Sequence, residues 1–180
     1  SDGTILFYTD HSYFKMINQQ GVSFVQLHFF MTRNQLAFVK QDTLFTAKYS
    51  VRVQFADASG KNSILDKQWT VDLDDHITAE DTTKDVPVMF ENSFVVKSGQ
   101  YAMTIEITDN NNKGHSGKYS EVIDIANFDQ SDLTMSTIEL ATQVMKSGHA
   151  DEMFVKNGFT IYPNPSKFYG SNLPRLWLYA

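Results

Sequence analysis

Cysteine is absent from this chain, which removes disulfides, thiolate metal sites and cysteine nucleophiles together but leaves the redox compartment open. No stretch approaches the roughly 18 to 20 consecutive apolar residues that a membrane-spanning helix requires. The opening Ser1-Asp2-Gly3 has none of the character of a signal peptide. Positive charge is also scarce: 15 Lys and Arg stand against 21 Asp and Glu, a net charge of -6. A general phosphate-backbone binder needs clustered cations, so nucleic acid is not an expected partner. No Asn-x-Ser/Thr glycosylation sequon survives, because Asn164 is followed by Pro165. The glycines are dispersed and form no phosphate-cradling loop.

What the chain does have is aromatic and apolar content, at 13% and 42%, enough for a packed core. The apolar residues are spaced for strands. Residues 45–55 place Phe45, Ala47, Tyr49, Val51, Val53 and Phe55 on one face and Thr46, Lys48, Ser50, Arg52 and Gln54 on the other. Side chains alternate across a strand with period two, so such a segment buries one face and wets the other, as antiparallel sheets do. Tyr101, Met103, Ile105 and Ile107 repeat the signal. Residues 22–31 carry apolar side chains on both faces, which predicts a central or domain-facing strand. Further strands are expected near 4–9, 36–40, 64–73, 86–97 and 119–125, with turn chemistry at 57–61, 98–100 and 109–114. The acidic stretch 72–85 reads as a long surface loop.

About seven strands by residue 128 match an immunoglobulin-like sandwich, and Tyr101 stands two residues before Met103 as a tyrosine-corner residue stands before the second cysteine of that fold. The expected architecture is therefore mainly β: an immunoglobulin-like or fibronectin III-like antiparallel β-sandwich over 1–130, then 131–180 as a linker and the start of a second β module. Within 131–150 two readings compete. Ser136 and Glu139 fit a helical capping box with Ile138, Ala141 and Met145 on one face before Gly148, whereas Leu133, Met135, Ile138 and Leu140 fit extended pieces. Strands follow at 154–162 and 173–180. The last strand ends the chain, so the second module is expected to continue past Ala180.

Residues 26–40, the alternating strand from Phe45, and Phe154-Val155-Lys156-Asn157-Gly158 with Tyr162-Pro163-Asn164-Pro165-Ser166 resemble the N-terminal β-sandwich region of bacterial GWxTD-domain proteins. The Gly-Trp-x-Thr-Asp motif itself is absent. The resemblance implies an exported protein of the periplasm, cell surface or medium, and it transfers no catalytic residue.

Motif by motif, catalysis finds little support. His11, His28, His76, His115 and His149 are scattered without a His-x-x-x-His pair, and Ser116 lacks the Gly-x-Ser-x-Gly elbow. Asp109-x-Asn111-x-Lys113-Gly114 begins like a calcium loop, but Lys113 stands where an oxygen ligand belongs and Ser120 where the bidentate Glu belongs, which favours a hairpin turn. Asp72, Asp74, Asp75 and Asp81, with His76 and Glu80 among them, are the calcium candidates, and a solvated charge run is the plainer reading. Trp69, Trp177, Tyr8, Tyr13, Tyr162, Tyr169 and Tyr179 offer aromatic surface, with Trp69 expected in the core. The expected function is non-catalytic: a structural or protein-interaction module of an exported envelope protein, with an envelope or secreted protein as partner. Alternatives are a carbohydrate-binding module recognising polysaccharide, or the accessory domain of an enzyme whose catalytic part lies outside this chain.

Overall fold

The structure, a computed structural model, describes residues 3–129, 134–146 and 152–180, with the backbone alone at 74–76 and 152. Strands account for 61% and helices for 5%, and the antiparallel sheets do not close into barrels. This is the mainly β fold expected, consistent with a β-sandwich. In chain order the strands are β1 (Tyr8–Lys15), β2 (Val22–Thr32), β3 (Val39–Gln41), β4 (Leu44–Asp57), β5 (Ser63–Ile77), β6 (Pro87–Lys97), β7 (Gly99–Asp109), β8 (Ser116–Ile125), β9 (Glu139–Lys146), β10 (Val155–Lys156), β11 (Phe159–Pro163) and β12 (Trp177–Tyr179).

Two compact units are woven from separated segments. The first comprises Ser1–Phe7, Met31–Val88 and Gln100–Asp124, and the second Tyr8–Phe30, Met89–Gly99 and Ile125–Ala180.

The first unit is organised around β4. Its one edge pairs with β5, and its other edge with β3 and then β7, which in turn neighbours β8. Register sets Val51 opposite Ile107, Val53 opposite Ile105 and Phe55 opposite Met103, and all six are buried. Their alternation with polar residues is what commits both strands to one buried face. Gly117 lets Ile5 approach β8 closely: a Cβ there would lie 2.1 Å from the Ile5 carbonyl oxygen. Ile5 N–H donates to the Ser116 carbonyl at 2.9 Å, so the close approach carries a hydrogen bond.

β5 corrects the reading of 72–85 as loop, since the strand continues through Asp72 to Ile77 before a 3₁₀ turn at Asp81–Thr83. Among the described residues β5 pairs with β4 alone, and on an edge strand charged side chains keep their water. Asp72 lies opposite Lys48, to which it is salt-bridged at 2.8 Å. Trp69 on the same strand is half-buried rather than a core residue.

The second unit holds two sheets. One has the order β1-β2-β6, so β2 is central, one of the two placements expected from its two apolar faces. The other has the order β10-β11-β9-β12. The first strand begins at Tyr8, later than expected, and takes in Tyr13 and Phe14. Between the competing readings of 131–150, Glu139–Lys146 is a strand, while Leu133 and Gly148 lie outside the described residues. β10 and β11 are joined by Asn157-Gly158, both with positive φ (48° and 79°), the conformation that Asn-Gly adopts most readily in two-residue hairpins.

Candidate functional site

The polar chemistry of the second unit lies on one face of β1 and β2. Phe14 pairs with Phe24, Ser12 with Gln26, Asp10 with His28 and Tyr8 with Phe30, so the face reads aromatic, polar, polar, aromatic. Period-two alternation puts Gln26 and His28 on this face while Val25, Leu27 and Phe29 occupy the other.

His28 is the centre of a buried ionic cluster. Its Nε2 lies 3.1 Å from Glu91 Oε2 on β6 and 3.5 Å from Glu139 Oε1 on β9. Lys156 Nζ on β10 donates to Glu139 Oε2 at 2.8 Å and lies 3.1 Å from Glu91 Oε2. Gln26 Nε2 donates to Glu91 Oε1 at 2.6 Å. The four charged or titratable side chains are 1%, 8%, 1% and 9% exposed for His28, Glu91, Glu139 and Lys156, so these contacts form in a water-poor setting where each is strong and each loss is costly. Lys156 Nζ also lies 3.4 Å from Nε2, so two carboxylates and an ammonium converge on that ring nitrogen. Burial works to raise the Glu91 pKa, yet the His28 hydrogen bond and the Lys156 charge outweigh it and hold this carboxyl below its ordinary range.

Several polar atoms of this band have no hydrogen-bond partner among the described residues: Ser12 Oγ, Gln26 Oε1, His28 Nδ1 and Glu139 Oε1. Buried polar atoms are ordinarily satisfied, so this band is more polar than its own hydrogen bonds match. Beside the cluster is a small pocket of about 210 Å³ lined by Phe14, Phe24, Gln26, Lys156, Asn157 and Tyr179. Asn157 Nδ2 donates to the Tyr179 hydroxyl at 2.7 Å and orients that ring.

A second feature of this unit is an open cleft of about 450 Å³ beside β12, lined among others by Gln143, Asn172, Arg175 and Trp177. Around it Leu176, Trp177 and Leu178 are 56%, 36% and 58% exposed.

The residues singled out from sequence are dispersed. Asp72 is bound to Lys48, and the Asp81 carboxylate accepts from the Thr78 hydroxyl at 2.6 Å and from Lys84 Nζ at 3.0 Å, which holds its pKa well below the carboxylate range. Asp74, Asp75 and His76 have side chains outside the description, and His149 lies outside it altogether. Among the described residues no three His, Asp or Glu side chains group as metal ligands. Asp109 spends its carboxylate on backbone N–H groups, with Ala37 at 2.6 Å and Asn111 at 2.8 Å, which makes its loop a self-bonded turn. The aromatics are divided too: Tyr8 packs edge-on against Phe168, Tyr162 lies 5.5 Å from Phe154, and Tyr169 OH donates to the Ala141 carbonyl.

Sequence reasoning missed the cluster. Glu139 enters the sequence reading only as one half of a possible capping box in a segment with two competing readings, Lys156 only within the run that carries the resemblance, and Glu91 not at all. The available signal was Gln26-x-His28, two polar residues on one face of a strand whose composition demanded cover on both sides. Comparison with protein-family models, with curated proteins and with solved structures found no match for this chain.

Proposed function

We propose that the chain is a non-catalytic protein-interaction module of an exported bacterial envelope protein, and that it engages its partner through the β12 surface. The observation that carries this reading is the grouping of exposed Leu176, Trp177 and Leu178 on and beside an edge strand. Large exposed apolar side chains in succession along an edge strand offer anchors on both of its faces, and a free strand edge adds main-chain hydrogen bonds to whatever docks there. The resemblance to GWxTD-domain proteins supports the envelope setting.

The test is capture from envelope extract by the wild-type chain and by a Trp177→Arg/Leu178→Lys variant, followed by binding of the purified captured protein. Loss of a specific partner in the variant supports the proposal. Equal retention by both, or no retention above a bait-free control, would sink it.

Carbohydrate recognition is the second reading. It is favoured by Trp177 standing beside Gln143, Asn172 and Arg175 in an open cleft, a flat ring with hydrogen-bonding neighbours as sugar sites use. Saturable change in tryptophan fluorescence with a polysaccharide, abolished by Trp177→Arg, would favour it over a protein partner.

A further inference from the structure

We infer that the cleft beside β12 takes up an extended, acidic segment of the partner protein, which adds as a strand to residues 142–146 of β9. This rests on the β12 reading above, and it names the partner's chemistry and its mode of docking.

Three features support it. The first is a gap in the sheet. β9 is paired with β11 as far as Lys146, whereas on its other side β12 covers only Glu139, Leu140 and Ala141. Continuing that register would set Pro174 opposite Val144, and a proline has no N–H to give the ladder. Alternate residues of a strand turn their N–H and C=O groups to opposite sides, so residues 142–146 keep main-chain groups without a strand partner on that side among the described residues. Thr142 and Gln143 line the cleft, so this edge opens into it. An extended backbone brings matching donors and acceptors at the spacing of the ladder.

The second is charge. Cations of this acidic chain such as Lys48, Arg52, Lys84, Lys156 and Lys167 stand against carboxylates. Arg175, which lines the cleft, and Lys146, which ends the open stretch, have no ion pair among the described residues. Carboxylate side chains on the added strand complement both, and a basic segment would meet like charge.

The third is an apolar anchor. Trp177 lines the same cleft with its ring partly exposed, a broad contact for an apolar side chain next to the carboxylate.

The test is an NMR titration of the full chain with three synthetic peptides. One is acetyl-Thr-Val-Glu-Val-Glu-Val-Thr-amide, the second has lysine for both glutamates, and the third is the first N-methylated at the central valine and the following glutamate, which blocks both of its edges. Saturable shifts are expected at the amides of residues 142–146 and at the Trp177 indole with the glutamate peptide, weaker binding with the lysine peptide, and none with the N-methylated one. Arg175→Glu, an exposed substitution, should weaken the glutamate peptide about three- to tenfold, as an exposed ion pair is exchanged for a like-charge contact. No saturable shift at those residues at millimolar glutamate peptide overturns the inference. Equal affinity for either control peptide does the same, as does unchanged affinity in Arg175→Glu. Capture from envelope extract separates this failure from that of the underlying reading. A partner lost by Trp177→Arg/Leu178→Lys but fully retained by Arg175→Glu would overturn docking of an acidic strand and keep β12 as the interface.

Discussion

At the scale of single residues, the consequential side chains are those that meet from far apart in sequence. Lys156 holds Glu91 and Glu139 together, so Lys156→Met leaves two buried carboxylates without their cation. Breaking a buried pair by removing one partner costs about 3 to 5 kcal/mol, and urea denaturation should read a loss of that order. The double variant Lys156→Met/Glu139→Gln should lose less than the single one, because one orphaned charge is removed with its partner. Asp57 makes a separate prediction. The Ser59 hydroxyl at 2.6 Å, the Asn62 amide and backbone N–H groups lower its pKa from 3.8 to about 2. A carboxylate lowered on folding stabilises fully above its unfolded value and ceases to do so as pH falls through the folded one. Wild type should therefore be more stable than Asp57→Asn at neutral pH, with the difference closing between pH 3.8 and about 2. A gap that persists at the acid end would show that the carboxylate's charge is not its source. None of the buried quartet was legible as a set, since residues 28, 91, 139 and 156 share no local pattern and come from four strands of two different sheets.

At the scale of elements, β4 and β7 were the most legible, because a strict alternation of six apolar positions has one structural solution. Their pairing should also dominate stability. Ile105 is fully buried opposite Val53, and Ile105→Ala should cost about 2 to 5 kcal/mol, while Thr104→Ala on the wetter face should change little. Thermal or chemical unfolding of the two variants side by side is the measurement, and similar losses would mean that the face assignment is wrong. Less legible were the elements whose conformation depends on neighbours. β5 runs on into an acidic stretch because Lys48 waits across the ladder, and β9 is extended because β11 and β12 flank it. Neither cause is visible within a local window. Local signals for a helix at 136–145 were genuine, and tertiary pairing overrode them.

For the whole molecule, charge and exposed apolar surface act against each other. The net charge of -6 keeps chains apart at neutral pH, and the pI of about 5.2 marks where that repulsion vanishes. Light scattering should peak near that pH, and Leu178→Glu should lower the peak if the β12 surface is where copies meet. An unchanged peak would assign the association to another surface. The class of fold was readable at this scale from composition and period. The weaving of the two units was not, because it depends on which distant strands pair.

That weaving orders events in time as the chain is synthesised. Once Asp124 has left the ribosome, every segment of the first unit is present and it can close. Tyr8–Phe30 and Met89–Gly99 must by then wait, with their half of the ionic cluster unmatched, until residues from Ile125 onward emerge with Glu139 and Lys156. During that interval His28 and Glu91 keep β1, β2 and β6 polar on the face still lacking its cover, which makes this stretch of the nascent chain less adhesive than an all-apolar core would be.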